Sequence, residues 1–241
     1  MRLYFYCITK NISENEFSLR GVDNQKIFLI HNKELYAAVS AVSTIQYEDS
    51  MYHREIHENI INYFMEKYPI LPFKFNSIVG EKLGRGIIKK YYNELLKNLI
   101  NIQGRVEFYI AVLKRSSTQM IGISKNTHGK SIQGGKKYYT EKHSAKKIFN
   151  IRGKVIANQI NQPIRDIASY ACVDMLVNEQ ILFRGNYLVE KNKVTLFRSK
   201  INDLEKLYSQ YEFFCKGAMP PYSFNIVDIT KTNSVRLKRL K

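Results

Sequence analysis

The sequence predicts an α+β protein of two domains: an N-terminal modified ferredoxin-like unit over residues 1–103 and a C-terminal ferredoxin-like βαββαβ unit with a long basic helix over residues 104–241. Three observations carry this expectation. From about Gly104 onward the hydrophobic periodicities run strand, long helix, strand, strand, helix, strand, the order of the split βαβ motif. The front half offers three strands, a helix, a strand and a helix, a related layering in which each sheet is expected to carry its helices on one face. At 241 residues the chain suffices for two domains of ordinary size, and a chain of this length buries ~70% of its unfolded surface without covalent staples.

The elements follow in order. Leu3-Tyr-Phe-Tyr-Cys-Ile8 is aromatic and β-branched enough to be a buried strand. A polar stretch ending in Gly21-Val-Asp-Asn24 turns the chain. Ile27 to Ile30 and Leu35 to Val42 are the next strands, joined through His31-Asn32-Lys33, and the small residues Ala37 to Ala41 predict close packing over the second. A helix follows from about Ser50 to Lys67, with Ile56, Ile60, Ile61 and Phe64 on one face together with His53 and His57. Pro69 ends it, and the alternation of Leu71, Phe73 and Phe75 predicts a half-buried strand over 70–77 with Pro72 near its start. A helix from about Glu81 to Asn101 carries the stripe Ile88, Tyr92, Leu95 and Leu99, and Val106 to Leu113 reads as a central strand.

The second half changes character. Arg115 to Gly135 is a polar loop rich in Gly, Ser and Thr, and a loop of that length is functional or mobile. A long basic helix runs from about Lys136 to Ile160, before Pro163 breaks or restarts it. Ser169 to Val177 and Ile181 to Lys191 read as strands around a turn at Asn178-Glu179. Phe197, Ile201, Leu204, Tyr208 and Tyr211 mark an amphipathic helix. Gly217-Ala-Met-Pro-Pro-Tyr-Ser-Phe224 must then be extended, because its two prolines fix φ and remove two donors; it is expected to be an edge strand or a packing strap, with a peptide-like docking surface as the alternative. A basic, frayed tail closes the chain.

Charge narrows the partners. The net charge is +17, and Lys114 to Lys154 holds eleven Lys and Arg against the single acid Glu141. The tail adds Lys231, Arg236, Lys238, Arg239 and Lys241. Such a field favours polyanions, acidic protein surfaces or anionic lipid. Cys7, Cys172 and Cys215 form no C-x-x-C pair; each sits in an apolar run and is expected to be a small buried hydrophobe in a reducing compartment. The apolar run Leu3–Ile8 is shorter than a signal h-region and no run approaches a membrane span, so a cytoplasmic protein with no membrane partner is expected.

No enzyme is expected, since no nucleophile–base pair, cofactor motif or metal cluster is readable. Gly129-Lys130-Ser131 imitates the end of a P-loop, but Ser124 stands where that loop requires glycine. His53 and His57, at i and i+4, are either half of a metal site or hydrogen-bonded core histidines, and no motif positions a third ligand. Two partner classes stay open: an acidic, amphipathic protein, or nucleic acid bound non-specifically through charge, for which no recognition motif is present.

The closing strap completes a resemblance that runs collinearly over nearly the whole chain. Its elements are the tyrosine-rich opening strand, Gly21-Val-Asp23, Ala37-Ala-Val-Ser40, His57-Glu58, Leu71-Pro-Phe-Lys-Phe75, Gly104-x-x-Glu107, Tyr187-Leu-Val189 and Pro220-Pro-Tyr-Ser-Phe224. Gly135-Lys-Lys-Tyr-Tyr139 loosely matches a further helix start. In these features the chain resembles the GvpF/GvpL family of gas vesicle accessory proteins, with Ala218 and Met219 where the family usually has Pro and Trp. The resemblance implies a two-domain α+β protein that binds the hydrophobic gas vesicle shell protein, prevents its aggregation and helps nucleate the vesicle. It also implies other gas vesicle accessory proteins as partners and retention as a minor vesicle component. On the resemblance Leu71, Pro72, Phe73, Phe75, Pro220, Pro221, Tyr222 and Phe224 are structural. By charge alone the basic segment is either a solvated face or a docking surface for an acidic partner, the latter formed by Lys136, Lys137, Tyr138, Tyr139, Lys146, Lys147, Arg152 and Lys154.

Overall fold

The computed structural model describes residues 1–12, 17–115, 152–175, 180–230 and 234–237. It is an α+β structure that divides into two compact units, Met1–Phe108 with Leu188–Asn192 and Gly217–Lys241, and Tyr109–Tyr187 with Lys193–Lys216. In this division Gly217–Lys241 group with the first unit, whereas the sequence reading carried residues 104–241 as one domain.

The first unit is built on β1 (Arg2–Lys10), whose residues 3–9 are all buried. β2 (Ile27–Asn32) and β3 (Leu35–Val42) form a hairpin, and β3 pairs antiparallel with β1. The turn is Lys33-Glu34, with Lys33 at φ 54°, so it falls two residues later than expected. On the other side of β1 lie β4 (Ile70–Pro72) and β5 (Ile78–Gly80), paired with Cys7–Thr9 and Arg2–Tyr4 respectively. The single strand expected over 70–77 is therefore two short ones. The ladder of β1 shifts register between Phe5 and Cys7, and the partner chain breaks opposite that bulge, looping out through Asn76 at φ 66°.

Helices cover both faces of this sheet, which corrects the expectation of helices on one face. On one side α1 (Met51–Lys67) buries His57, Ile60, Ile61 and Phe64 against Tyr4, Tyr6 and Cys7. Ser50 caps it by accepting from the His53 N–H, which satisfies one of the four orphan donors of a helix start. On the other side α2 (Glu81–Lys90) sets Gly84 directly against Leu3 and Phe5. The expected continuous helix over 81–101 is interrupted at Tyr91, and α3 (Tyr92–Ile102) continues with Leu95, Asn98, Leu99 and Ile102 buried. The tail is paired rather than frayed over its described part: β10 (Val227–Thr230) and β11 (Ser234–Leu237) form an antiparallel hairpin.

The chain from Arg105 to Met219 carries the expected βαββαβ order. β6 (Arg105–Lys114) precedes α4 (residues 152–165), β7 (Tyr170–Met175), β8 (Ile181–Glu190), α5 (Val194–Leu207) and β9 (Tyr211–Met219), and the sheet order is β7-β8-β6-β9. Placing the first and third strands at the centre is the ferredoxin-like arrangement. Its core includes Ile110, Val112, Ala157, Ile160, Ile164, Phe183, Phe197 and Ile201. Tyr187 Oη donates to Asn161 Oδ1 at 2.5 Å, and burial pushes that phenol well above its ordinary pKa. α4 runs through Pro163 and ends two residues later. α5 stops at Leu207, so Tyr211, expected on its stripe, is instead the first residue of β9. Of the cysteines only Cys7 meets the expectation of burial; Cys172 is half-buried and Cys215 exposed.

Candidate functional site

Within the first unit the two motif segments found far apart in sequence come together. Asn225 donates from Nδ2 to the carbonyl of Pro72 at 2.8 Å. The ring of Tyr222 stacks on that of His57 with centroids 6.5 Å apart and planes 26° apart. Leu71, Pro72, Phe73, Pro221 and Phe224 are buried, while Phe75, Pro220 and Tyr222 are half-buried. The strap is not a uniform rod. β9 continues to Met219, the two prolines follow, and Tyr222–Phe224 form a turn of 3-10 helix rather than an alternating extended run.

Side chains hold the strap where prolines cannot. Asn98, buried on α3, donates to the Phe224 carbonyl at 3.0 Å and accepts from the Ile226 N–H at 3.0 Å. Glu107, buried on β6, accepts from the Ser223 N–H at 2.8 Å. Asn225 also accepts from the Val227 N–H at 2.9 Å. Each of these bonds gives a backbone group of a buried or part-buried segment a side-chain partner.

His57 is the hub beneath. Its Nε2 lies 3.0 Å from the Phe73 carbonyl and its Nδ1 2.9 Å from Tyr4 Oη. A carbonyl only accepts, so Nε2 carries the hydrogen and Nδ1 accepts from Tyr4, whose oxygen in turn accepts from the Asn76 N–H at 3.3 Å. Burial drives the His57 pKa down to about 4, with the Phe73 bond opposing and Arg54 assisting the shift. The ring is thus a neutral core histidine. His53 is instead hydrogen-bonded at the helix start, to Ser50 Oγ and the Glu48 carbonyl. Among the described residues no group of three His, Cys, Asp or Glu side chains is placed to hold a metal.

A cleft of about 460 Å³ opens beside Tyr222 and His57, with Asp49, Arg54, Glu58 and Lys74 at its walls. Arg54 is already engaged: it forms a fork with the Asp49 carboxylate and lies 5.3 Å from the Phe75 ring centroid. This arrangement ties β4, α1 and the strap into one body. Gly21-Val-Asp23 does the same for the other end of β1. A side chain at Gly21 would collide with Tyr6 Oη and Ser40 Oγ, Val22 donates its N–H to Tyr6 Oη at 3.0 Å, and Asp23 accepts from Tyr47 Oη at 2.6 Å.

The sequence model of the family described as gas vesicle synthesis protein GvpL/GvpF matches residues 2–225, ending at the strap's Asn225. The chain belongs to this family. Gas vesicle protein F1 of Halobacterium salinarum is 22% identical over 232 residues, covering 94% of this chain and 93% of that protein. The crystal structure of the gas vesicle protein GvpF from Anabaena superposes with a TM-score of 0.74 at 16% identity, covering 93% of this chain and 98% of that one. GvpF from Microcystis aeruginosa gives a TM-score of 0.68 at 16% identity over the same shares. These structures share the fold, and family membership gives the chain a role in gas vesicle assembly. Among the described residues no helix is long and apolar enough to cross a membrane.

Of the residues the sequence singled out for partner contact, Arg152 and Lys154 are exposed on α4. Lys136, Lys137, Tyr138, Tyr139, Lys146 and Lys147 lie outside the described residues, as do the loop over 116–135 and the turn at Asn178-Glu179. Sequence reasoning missed Asn98 and Asn225 altogether and noted Glu107 only as part of the motif Gly104-x-x-Glu107, with no role for its side chain. A signal existed for two of them: Asn98 sits on the buried stripe of α3 and Glu107 in an apolar run.

Proposed function

We propose that this GvpL/GvpF protein binds the small hydrophobic shell protein of the gas vesicle, keeps it from aggregating and helps place it at a nucleation site. The observation that supports the reading best is the collinear family match over residues 2–225. The protein acts in the cytoplasm at the growing vesicle and remains as a minor vesicle component, with other accessory proteins as further partners. The charge of +17 supplies the second support. The basic segment 136–154, whose Arg152 and Lys154 stand in solvent, steers an acidic, amphipathic partner onto the chain, and its tyrosines add apolar contact.

Co-expression with the shell protein followed by pull-down at low and high salt tests this. Soluble shell protein should be captured, and capture should weaken in salt because exposed charge pairs are screened. Reversing Lys136, Lys147, Arg152 and Lys154 to Glu should lower capture and flatten its salt dependence. Undiminished capture would remove the basic segment from the contact. Recovery of nucleic acid in place of shell protein would favour the non-specific alternative.

A further inference from the structure

A groove on the first unit has the chemistry of a docking site. It runs along α2 beside the β10–β11 hairpin and has a volume of about 870 Å³. Leu83, Ile87, Tyr91 and Val235 line it with apolar surface, and Leu83 is 39% exposed. Gly86 also faces the groove, and a Cβ built there would meet no atom within 4 Å. Gly84, two residues earlier, is packed so tightly that its Cβ would stand 2.9 Å from the Leu3 side chain. One glycine of α2 is therefore small because the core requires it, while the other leaves space that no described residue fills.

The rim is cationic. Lys82 and Lys90 line the groove, and Lys90 Nζ stands 4.9 Å from the Tyr91 ring centroid. α2 also carries Arg85 and Lys89, and its one acid, Glu81, is taken by Arg85 at 2.9 Å. Lys82 and Lys90 are eight residues apart, ~12 Å along the helix axis, about two turns of a facing helix. An apolar floor between two such lysines, on a chain of net charge +17, selects apolar side chains flanked by carboxylates. We infer that this groove docks an acidic amphipathic helix of a partner protein, with apolar side chains over Gly86 and carboxylates facing Lys82 and Lys90.

The test uses the full chain and fluorescence anisotropy with a labelled synthetic amphipathic peptide of about 15 residues, long enough to be partly helical. Its apolar stripe is flanked by Glu, and a sibling peptide carries Lys at the same places. The acidic peptide should bind and the basic one should not. Gly86→Phe fills the groove, and Lys82→Glu with Lys90→Glu reverses its rim on exposed positions that leave the core untouched. Each should weaken binding about tenfold or more, as loss of a central anchor does. No binding of the acidic peptide, equal binding of its Lys sibling, or full affinity in both variants would overturn the assignment. So would a wild-type dimer in sedimentation that Gly86→Phe dissociates, since the groove would then belong to a second copy of the chain. The peptide assay is independent of shell-protein capture, so the two readings fail separately.

Discussion

Lowering the pH from about 7.5 to about 5 should loosen the first unit through one ring, His57. Burial depresses its folded pKa from 6.5 to about 4, so the unfolded chain takes up the proton first. A group shifted in this direction contributes stability that is fully present above pH 6.5 and is lost progressively as the pH falls towards 4. With ~1.4 kcal/mol per pKa unit the whole contribution is about 3 kcal/mol, and roughly 2 kcal/mol of it is gone at about pH 5. The structural reason is burial: the charged ring would lose its hydration and face the Arg54 guanidinium, and the Phe73 carbonyl that Nε2 keeps offsets only part of that.

The assay is amide hydrogen exchange of α1 and of residues 70–77, corrected for intrinsic rates, because a chain of two units has no single unfolding free energy. The comparison is with His57→Gln, whose amide can donate to Phe73 and accept from Tyr4 but does not titrate. The opening free energy of these amides should fall about 2 kcal/mol more in the wild type than in the variant over this pH range. Parallel pH profiles for the two proteins would refute the reasoning, since the loss would then come from groups other than His57.

The two glycines of α2 should respond with opposite signs. Gly84→Ala must push against Leu3, Phe5 and Val79 and should destabilise by roughly 1–3 kcal/mol, whereas Gly86→Ala meets open space and should stabilise by up to about 1 kcal/mol through helix propensity; thermal unfolding of both variants reads the contrast. Asn98→Ala leaves the Phe224 carbonyl and the Ile226 N–H without their side-chain partner. It should cost about 2–3 kcal/mol or more, and hydrogen exchange should show the loss concentrated in residues 222–227.

The elements that could be read from the sequence are those in which one local pattern decides. α1 was legible nearly to the residue because the Ser50 cap and the stripe Ile60, Ile61 and Phe64 agree. The βαββαβ order was legible because each element has its own period. The strand over 70–77 failed for a non-local reason: Leu71, Phe73 and Phe75 do alternate, but the bulge in β1 divides the available ladder, and no feature of 70–77 records that. The same holds for the face count. Residues 3–8 of β1 form a continuous apolar run, the signature of a strand buried on both sides, yet only Gly84 packed on Leu3 and Phe5 shows that α2 supplies the second cover.

The strap shows why a motif can be recognised before its role is understood. Pro220 and Pro221 are conspicuous because they restrict the backbone, and the same chemistry removes the donors by which a strand is normally held. Something else must then satisfy the neighbouring peptide groups in a dry setting, and only side chains with matched polarity can do so. Asn98, Glu107 and Asn225 fill that requirement, and the bond from Asn225 to Pro72 spans 153 residues. A buried amide or carboxylate on an apolar stripe is costly unless it is paired. Asn98 and Glu107 were therefore the places in the sequence where a distant backbone segment had to arrive, and Pro220–Phe224, rigid and short of donors of its own, is the segment that needed them.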